Sequence, residues 1–148
     1  MKRRTWILAS LAALTVVPVA SGRELAGQSS LAADVEGLLR GLGDAYAAGD
    51  AVAVTALFTS DARLFPPGQP LVSGRAALGE RYEEMFAGGG AAVRFAALET
   101  REGDGWAVVQ GSGELPATGL TVKFLMIVER EGGALKIARL IWNDDREG

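Results

Sequence analysis

Apolar residues recur at spacings of three and four from Leu31 through Val35, Leu38, Leu39, Leu42, Ala45 and Tyr46, which predicts one amphipathic helix over Leu31 to Ala48. Arg23 to Ser30, just before it, is a polar lead-in without that period. Gly37, Gly41 and Gly43 weaken the intrinsic helix propensity, so tertiary packing must supply much of its stability. Gly49 suits the C-terminal cap, and Asp50 can accept the orphan amides of a second short helix, AVAVTALF. Thr59-Ser60-Asp61 is read as its close. Ala62 to Phe65 and Leu71 to Ser73 are extended runs joined by the Pro-rich turn Pro66 to Pro70, which predicts a hairpin. A third helix follows Gly74, with Leu78, Tyr82, Met85 and Phe86 on one face, and Gly88-Gly89-Gly90 ends it.

Beyond Gly90 the period changes from helical to strand-like. Four strands are predicted: Val93 to Arg101, Trp106 to Glu114, Leu120 to Arg130 and Leu135 to Asn143. Their short Gly- and Pro-containing links make neighbours antiparallel, and Asp144 to Gly148 reads as a charged tail. Three helices followed by a long meander specify an α+β domain whose sheet curls over the helices as a cone with an interior pocket, Gly111 and Gly113 being plausible bending points. In the third of these strands both faces are apolar at the middle: Val122, Phe124, Met126 and Val128 on one side, Leu125 and Ile127 on the other. One side then packs on the helices and the other on a second copy, so a homodimer through the sheet is expected.

The N-terminus changes this picture only outside the domain. Lys2, Arg3 and Arg4 precede an apolar run from Trp6 to Val19, and Ala20-Ser21-Gly22 supplies small residues at its end. Residues 1–22 thus have the three-part pattern of a secretory signal peptide. The competing reading is an uncleaved anchor, but the run is shorter than the roughly 20 residues a spanning helix needs. Export to the periplasm or medium is expected, with no stable membrane span after cleavage. The domain itself then runs from residue 31 to 143. Loss of the three leading cations leaves 12 basic against 18 acidic residues, a net charge of −6, with no basic patch for nucleic acid.

The chain has no cysteine and no histidine, which removes disulfides, thiol nucleophiles and the commonest proton shuttle. Neither a metal site nor a cofactor motif is expected. Asp50 is read as a helix cap and Asp61 as a turn organiser, although Asp61 and Glu114 are the candidate catalytic carboxylates. Walls for a small apolar or amphipathic ligand would come from Tyr46, Phe58, Phe65, Tyr82, Met85, Phe86, Phe124 and Trp142. Trp106 and Gln110 join them if the set Trp106, Val108, Gln110, Ser112 and Glu114 faces the cone. The opposite orientation sends that set to solvent or a partner.

Several segments in this order carry a family resemblance: Tyr46-Ala47-Ala48-Gly49-Asp50, Leu57-Phe58 with Asp61-Ala62, Pro67-Gly68, Ser73 to Leu78, Leu135-Lys136-Ile137 and Ile141-Trp142-Asn143. From about Leu31 to Asn143 the chain resembles the nuclear-transport-factor-2-like superfamily, in particular its SnoaL-like and ketosteroid-isomerase-like bacterial members. The resemblance implies a cone-shaped, cystatin-like roll, a ligand pocket and a dimer. It does not carry over the steroid-isomerase machinery. Leu42 stands where those enzymes have a tyrosine on the first helix, Pro66 where they have a base aspartate, and Leu140 where some homologues have an acid. Binding is therefore expected in preference to catalysis. The alternatives are an isomerase, cyclase or hydrolase using Asp61 or Glu114 with a tyrosine, and a pocketless association module.

Overall fold

The computed structural model describes residues 22–145, so the leader expected over residues 1–22 lies outside the described residues almost entirely. Helix α1 spans Gly22–Ala48, α2 Ala51–Ala56 and α3 Arg75–Met85. The strands are β1 Phe58–Phe65, β2 Val72–Ser73, β3 Arg94–Glu102, β4 Trp106–Leu115, β5 Leu120–Glu131 and β6 Ala134–Asp144. The helix predicted from Leu31 starts nine residues earlier, at Gly22, so the polar lead-in is helical too. Extending an existing helix adds one hydrogen bond per residue fixed, which makes such an extension easier than a new start. Among the described residues no helix is long and apolar enough to cross a membrane.

Between α1 and α2 the chain turns as its residue types require. Gly49 adopts φ +65°, and Asp50 accepts the Ala53 amide at 2.9 Å as the N-cap. The second helix then stops at Ala56, two residues before the predicted end, and Leu57 caps it. Thr59, Ser60 and Asp61, read as a closing turn, belong to β1. The reason is long-range: the Ile137 amide donates to the Leu57 carbonyl at 2.8 Å, and Phe58 then lies beside Ile137 in a parallel pairing. The remaining neighbours are antiparallel, and the sheet runs β2-β1-β6-β5-β4-β3.

The six strands form a curved, unclosed sheet with the helices on its concave side, an α+β cone. The inner face carries Ala107 and Val109 of β4, Phe124, Met126 and Val128 of β5, and Ile137 and Leu140 of β6, packed on Val35, Leu39 and Leu42 of α1. Buried aliphatic side chains of this kind contribute about 1.5–3 kcal/mol each relative to exposure. Irregularities place this face correctly. Between Ile127 and Val128 the β5–β6 register shifts by one residue, leaving Ala138 as the extra residue, and Ile137 and Ala138 are consequently both buried. Gly111 lies beneath Phe124, where a Cβ would strike the ring, so this glycine provides room for the phenyl group as well as curvature.

At the other end, one carboxylate ties three elements together. Glu131 at the end of β5 accepts the Ser60 amide at 2.9 Å and hydroxyl at 3.0 Å, and the Arg75 guanidinium at 2.9 Å. Arg75 also donates to the Phe58 carbonyl at 2.7 Å. The hydrogen bonds from Ser60, reinforced by Arg75, hold the Glu131 carboxyl below its ordinary pKa of 4.5.

Candidate functional site

Between the helices and the inner face of the sheet lies an apolar cavity of about 230 Å³. Leu42 and Tyr46 of α1 and Met85 at the end of α3 form its helical wall. Phe95, Phe124, Met126, Leu140 and Trp142 form the sheet wall, while Val93, Leu115, Leu120, Val122 and Asp144 complete the lining. Strand alternation explains the set: Leu140, Trp142 and Asp144 are alternate residues of β6, and Trp142 and Asp144 pair with Phe124 and Val122 across the ladder.

Behind the cavity, aromatic rings follow one another from wall to core. Phe124 and Phe95 have centroids 6.1 Å apart, Phe95 and Tyr46 5.5 Å, Tyr46 and Tyr82 5.8 Å, and Tyr82 and Phe58 6.0 Å. Edge-to-face packing dominates, as ring quadrupoles favour. The Tyr46 hydroxyl donates to that of Tyr82 at 3.3 Å. Burial pushes both phenols above their ordinary pKa of 10.0, so at neutral pH each is an intact O–H group. Two hydroxyls joined by one hydrogen bond still hold one further donor proton. Because Tyr46 lines the cavity and Tyr82 does not, the pair serves a carbonyl or ether oxygen there only with the hydrogen bond reversed, Tyr82 donating to Tyr46 and Tyr46 to the ligand.

The residues singled out from sequence separate into groups. Tyr46, Met85, Phe124 and Trp142 meet at the cavity. Phe58, Tyr82 and Phe86 are buried behind it in the core and do not line it. Phe65 is exposed and, with Pro66, Pro67 and Leu71, borders a separate surface groove that Trp142 also touches. Trp106 and Gln110 are corrected: both stand on the convex face, with Trp106 45% exposed. Gly111 and Gly113 have no side chain to fill the cone and accommodate Phe124, Phe95 and Val122, so their set must face inward and the Trp106 set outward.

Neither candidate carboxylate reaches the cavity. Asp61 is exposed, accepting the Thr59 hydroxyl at 3.0 Å and lying 3.8 Å from the Arg139 guanidinium. Glu114 is exposed on the convex face, opposite Thr121. The carboxylate that does line the cavity is Asp144, the last residue of β6 and not part of a charged tail as its sequence position suggests. Its signal was present: it continues the Leu140, Trp142 alternation by one step. Leu42, Val93, Phe95, Leu115, Leu120, Val122, Met126 and Leu140 are likewise absent from the lining set expected from sequence. Among the described residues no group of three or more acidic, histidine or cysteine side chains gathers to hold a metal.

Residues 39–140 match the family model of the SnoaL-like domain. No curated protein matches the chain significantly. Several solved structures share its fold. A ketosteroid isomerase-like protein from Erwinia carotovora atroseptica is 24% identical with a TM-score of 0.65, over 78% of this chain and 96% of that one. A domain with a cystatin-like fold from Nostoc punctiforme is 17% identical with a TM-score of 0.67, over 82% and 79%. A protein from Catenulispora acidiphila, solved in complex with S-DNPA, is 19% identical with a TM-score of 0.67, over 80% and 96%.

Proposed function

Since the chain belongs to the SnoaL-like domain family of the nuclear-transport-factor-2-like superfamily, we propose that it is an exported homodimer binding a small apolar or amphipathic molecule in its cone. The observation that carries this reading is the apolar cavity beside Tyr46 and Trp142. Well-packed cores leave few voids larger than a water molecule. An engineered apolar cavity of about 150 Å³ accepts benzene. By that measure about 230 Å³ suits one substituted ring or a short branched chain, below the roughly 300–1,000 Å³ of pockets for drug-sized ligands. A small molecule bound to the similarly folded Catenulispora acidiphila protein supports the same reading.

The dimer reading rests on the convex face. Leu98, Trp106, Leu125 and Ile141 are exposed there, with half-buried Val108 and Ile127 between them. An apolar sheet face of this extent calls for a cover, and a second copy offers the same surface in return. Export rests on the pattern of residues 1–22.

Native mass spectrometry of protein recovered from the periplasm tests all three parts. The expected species is a dimer of chains lacking the leader, carrying a discrete adduct released on denaturation. A clean protein that also takes up no apolar probe sinks the binding reading. A monomer sinks the dimer, and a retained leader sinks processing.

A catalytic reading has one observation in its favour: Asp144 and Tyr46, a carboxylate and a hydrogen-bond donor, line the same cavity. Conversion of the extracted adduct by fresh protein, lost in Tyr46→Phe, would move the assignment to an isomerase, cyclase or hydrolase.

A further inference from the structure

Resting on the binding reading above, we propose that Met85 is a modification site that gates the cavity: hydrogen peroxide converts its thioether to the sulfoxide, and the cavity then releases its apolar ligand. Two methionines, Met85 and Met126, line the cavity, and they differ sharply in access. Met126 lies in the middle of β5 and is 1% exposed, whereas Met85 ends α3 and is 37% exposed. A residue that both lines the cavity and meets solvent stands at its mouth. Ala87 to Ala92, the stretch after the Phe86 cap, consists of exposed glycines and alanines, so no bulky side chain from that segment screens the sulfur. Met85 also stands on the concave side of the sheet, away from the convex face proposed for the dimer.

The chemistry suits this position. The chain has no cysteine, so peroxide meets no thiol that would react in place of the thioethers. A lone pair of the Met85 sulfur attacks one peroxide oxygen, the O–O bond breaks, sulfur is oxidised to S=O, and water departs. Susceptibility follows exposure, which places Met85 ahead of Met126. The product exchanges a flexible apolar side chain for a polar one. Turned inward, its S=O oxygen loses water against an apolar ligand that offers it no hydrogen bond. Turned outward, it leaves a breach in the helical wall beside Leu42 and Tyr46. Either course weakens apolar binding, and enzymatic reduction of the sulfoxide reverses it. The exported setting proposed above is an oxidising one, where such a gate would operate.

The test treats the mature protein with limiting hydrogen peroxide at neutral pH and titrates it calorimetrically with acetophenone and toluene before and after. Trypsin separates the two methionines into peptides 82–94 and 124–130, so mass spectrometry reads each one's oxidation independently. Peptide 82–94 is expected to gain one oxygen before peptide 124–130 does, and affinity for both probes to fall roughly ten-fold. Methionine sulfoxide reductases should restore both the mass and the affinity. Met85→Leu, compared with itself before and after treatment, should show no peroxide-dependent loss. Equal or earlier oxidation of Met126 overturns the choice of Met85. Unchanged affinity once Met85 is oxidised overturns the gate and leaves the cavity reading standing. A loss that persists in Met85→Leu, or that the reductases fail to reverse, places the damage elsewhere and overturns the gate as well. Failure of both probes to bind the untreated protein overturns the cavity reading itself, and the gate with it.

Discussion

Replacing Gly90 by alanine is expected to destabilise the domain by roughly 3–5 kcal/mol, among the largest losses a single methyl group can cause. A Cβ at this position would lie 2.6 Å from the Ala47 carbonyl oxygen, and closer still to the Gly49 nitrogen and the Tyr46 carbonyl oxygen. All three are backbone atoms, so no side-chain rotation relieves the overlap. The Tyr46 carbonyl is already occupied as acceptor, from the Gly49 amide at 3.1 Å and the Ala91 amide at 3.0 Å. The corner where α1 ends and the approach to β3 begins would have to separate, and Tyr46, a wall of the cavity, would move with it. Gly88→Ala is the control, since a Cβ there meets nothing within 4 Å. Urea midpoints of the two variants decide the matter: a Gly90→Ala protein within about 1 kcal/mol of the parent would show that the corner yields easily.

Truncating Tyr82 to alanine should cost about 3–5 kcal/mol, or roughly 10–20 °C in Tm. Its ring is fully buried and packs on Tyr46, Phe58 and Phe86. Tyr82→Phe keeps the packing and removes one member of the hydroxyl pair, for which about 1 kcal/mol is expected. The two variants differ in a second way. Burial raises the pKa of Tyr82, so the folded state holds this proton more tightly than the unfolded chain, whose tyrosines titrate near 10.0. The associated stability is complete below pH 10.0 and declines as pH rises above it. Stability measured between pH 8 and 11 should therefore fall less steeply in Tyr82→Phe than in the parent. Parallel curves would sink the claim that a buried phenol drives the alkaline loss.

Local information in the chain accounts for the helices, the Asp50 cap, the meander and the apolar inner row of β5, because each depends on neighbours three or four residues away or on simple alternation. The start of β1 was hidden because it depends on Ile137, nearly eighty residues later, and no local pattern reports a parallel pairing of that range. Most of the cavity is likewise hidden, nine of its thirteen lining residues. Tyr46, Met85, Phe124 and Trp142 were visible as aromatic or flexible apolar groups, but alternation divides a strand into two sets without saying which faces inward. Trp106 drew attention by size, whereas the small residues opposite Phe124 and Phe95 decide the orientation. Asp144 was missed for a different reason: a charged residue near the C-terminus resembles a tail until its parity with Trp142 is followed.

The sheet order leaves β3 at an edge, where eight of its nine residues pair, and only with β4. Such an edge can template a further strand, and repeated addition of that kind builds fibres. Here Leu98 is the extra residue where the β3–β4 register shifts, and the exposed charges of Arg94, Glu99, Arg101 and Glu102 punctuate the same strand. A kinked, charged border is a poor template for an incoming chain. The opposite border, β2, has only two residues to offer. Growth from either rim is thereby discouraged, and the convex face can remain apolar with little risk of open-ended polymerisation.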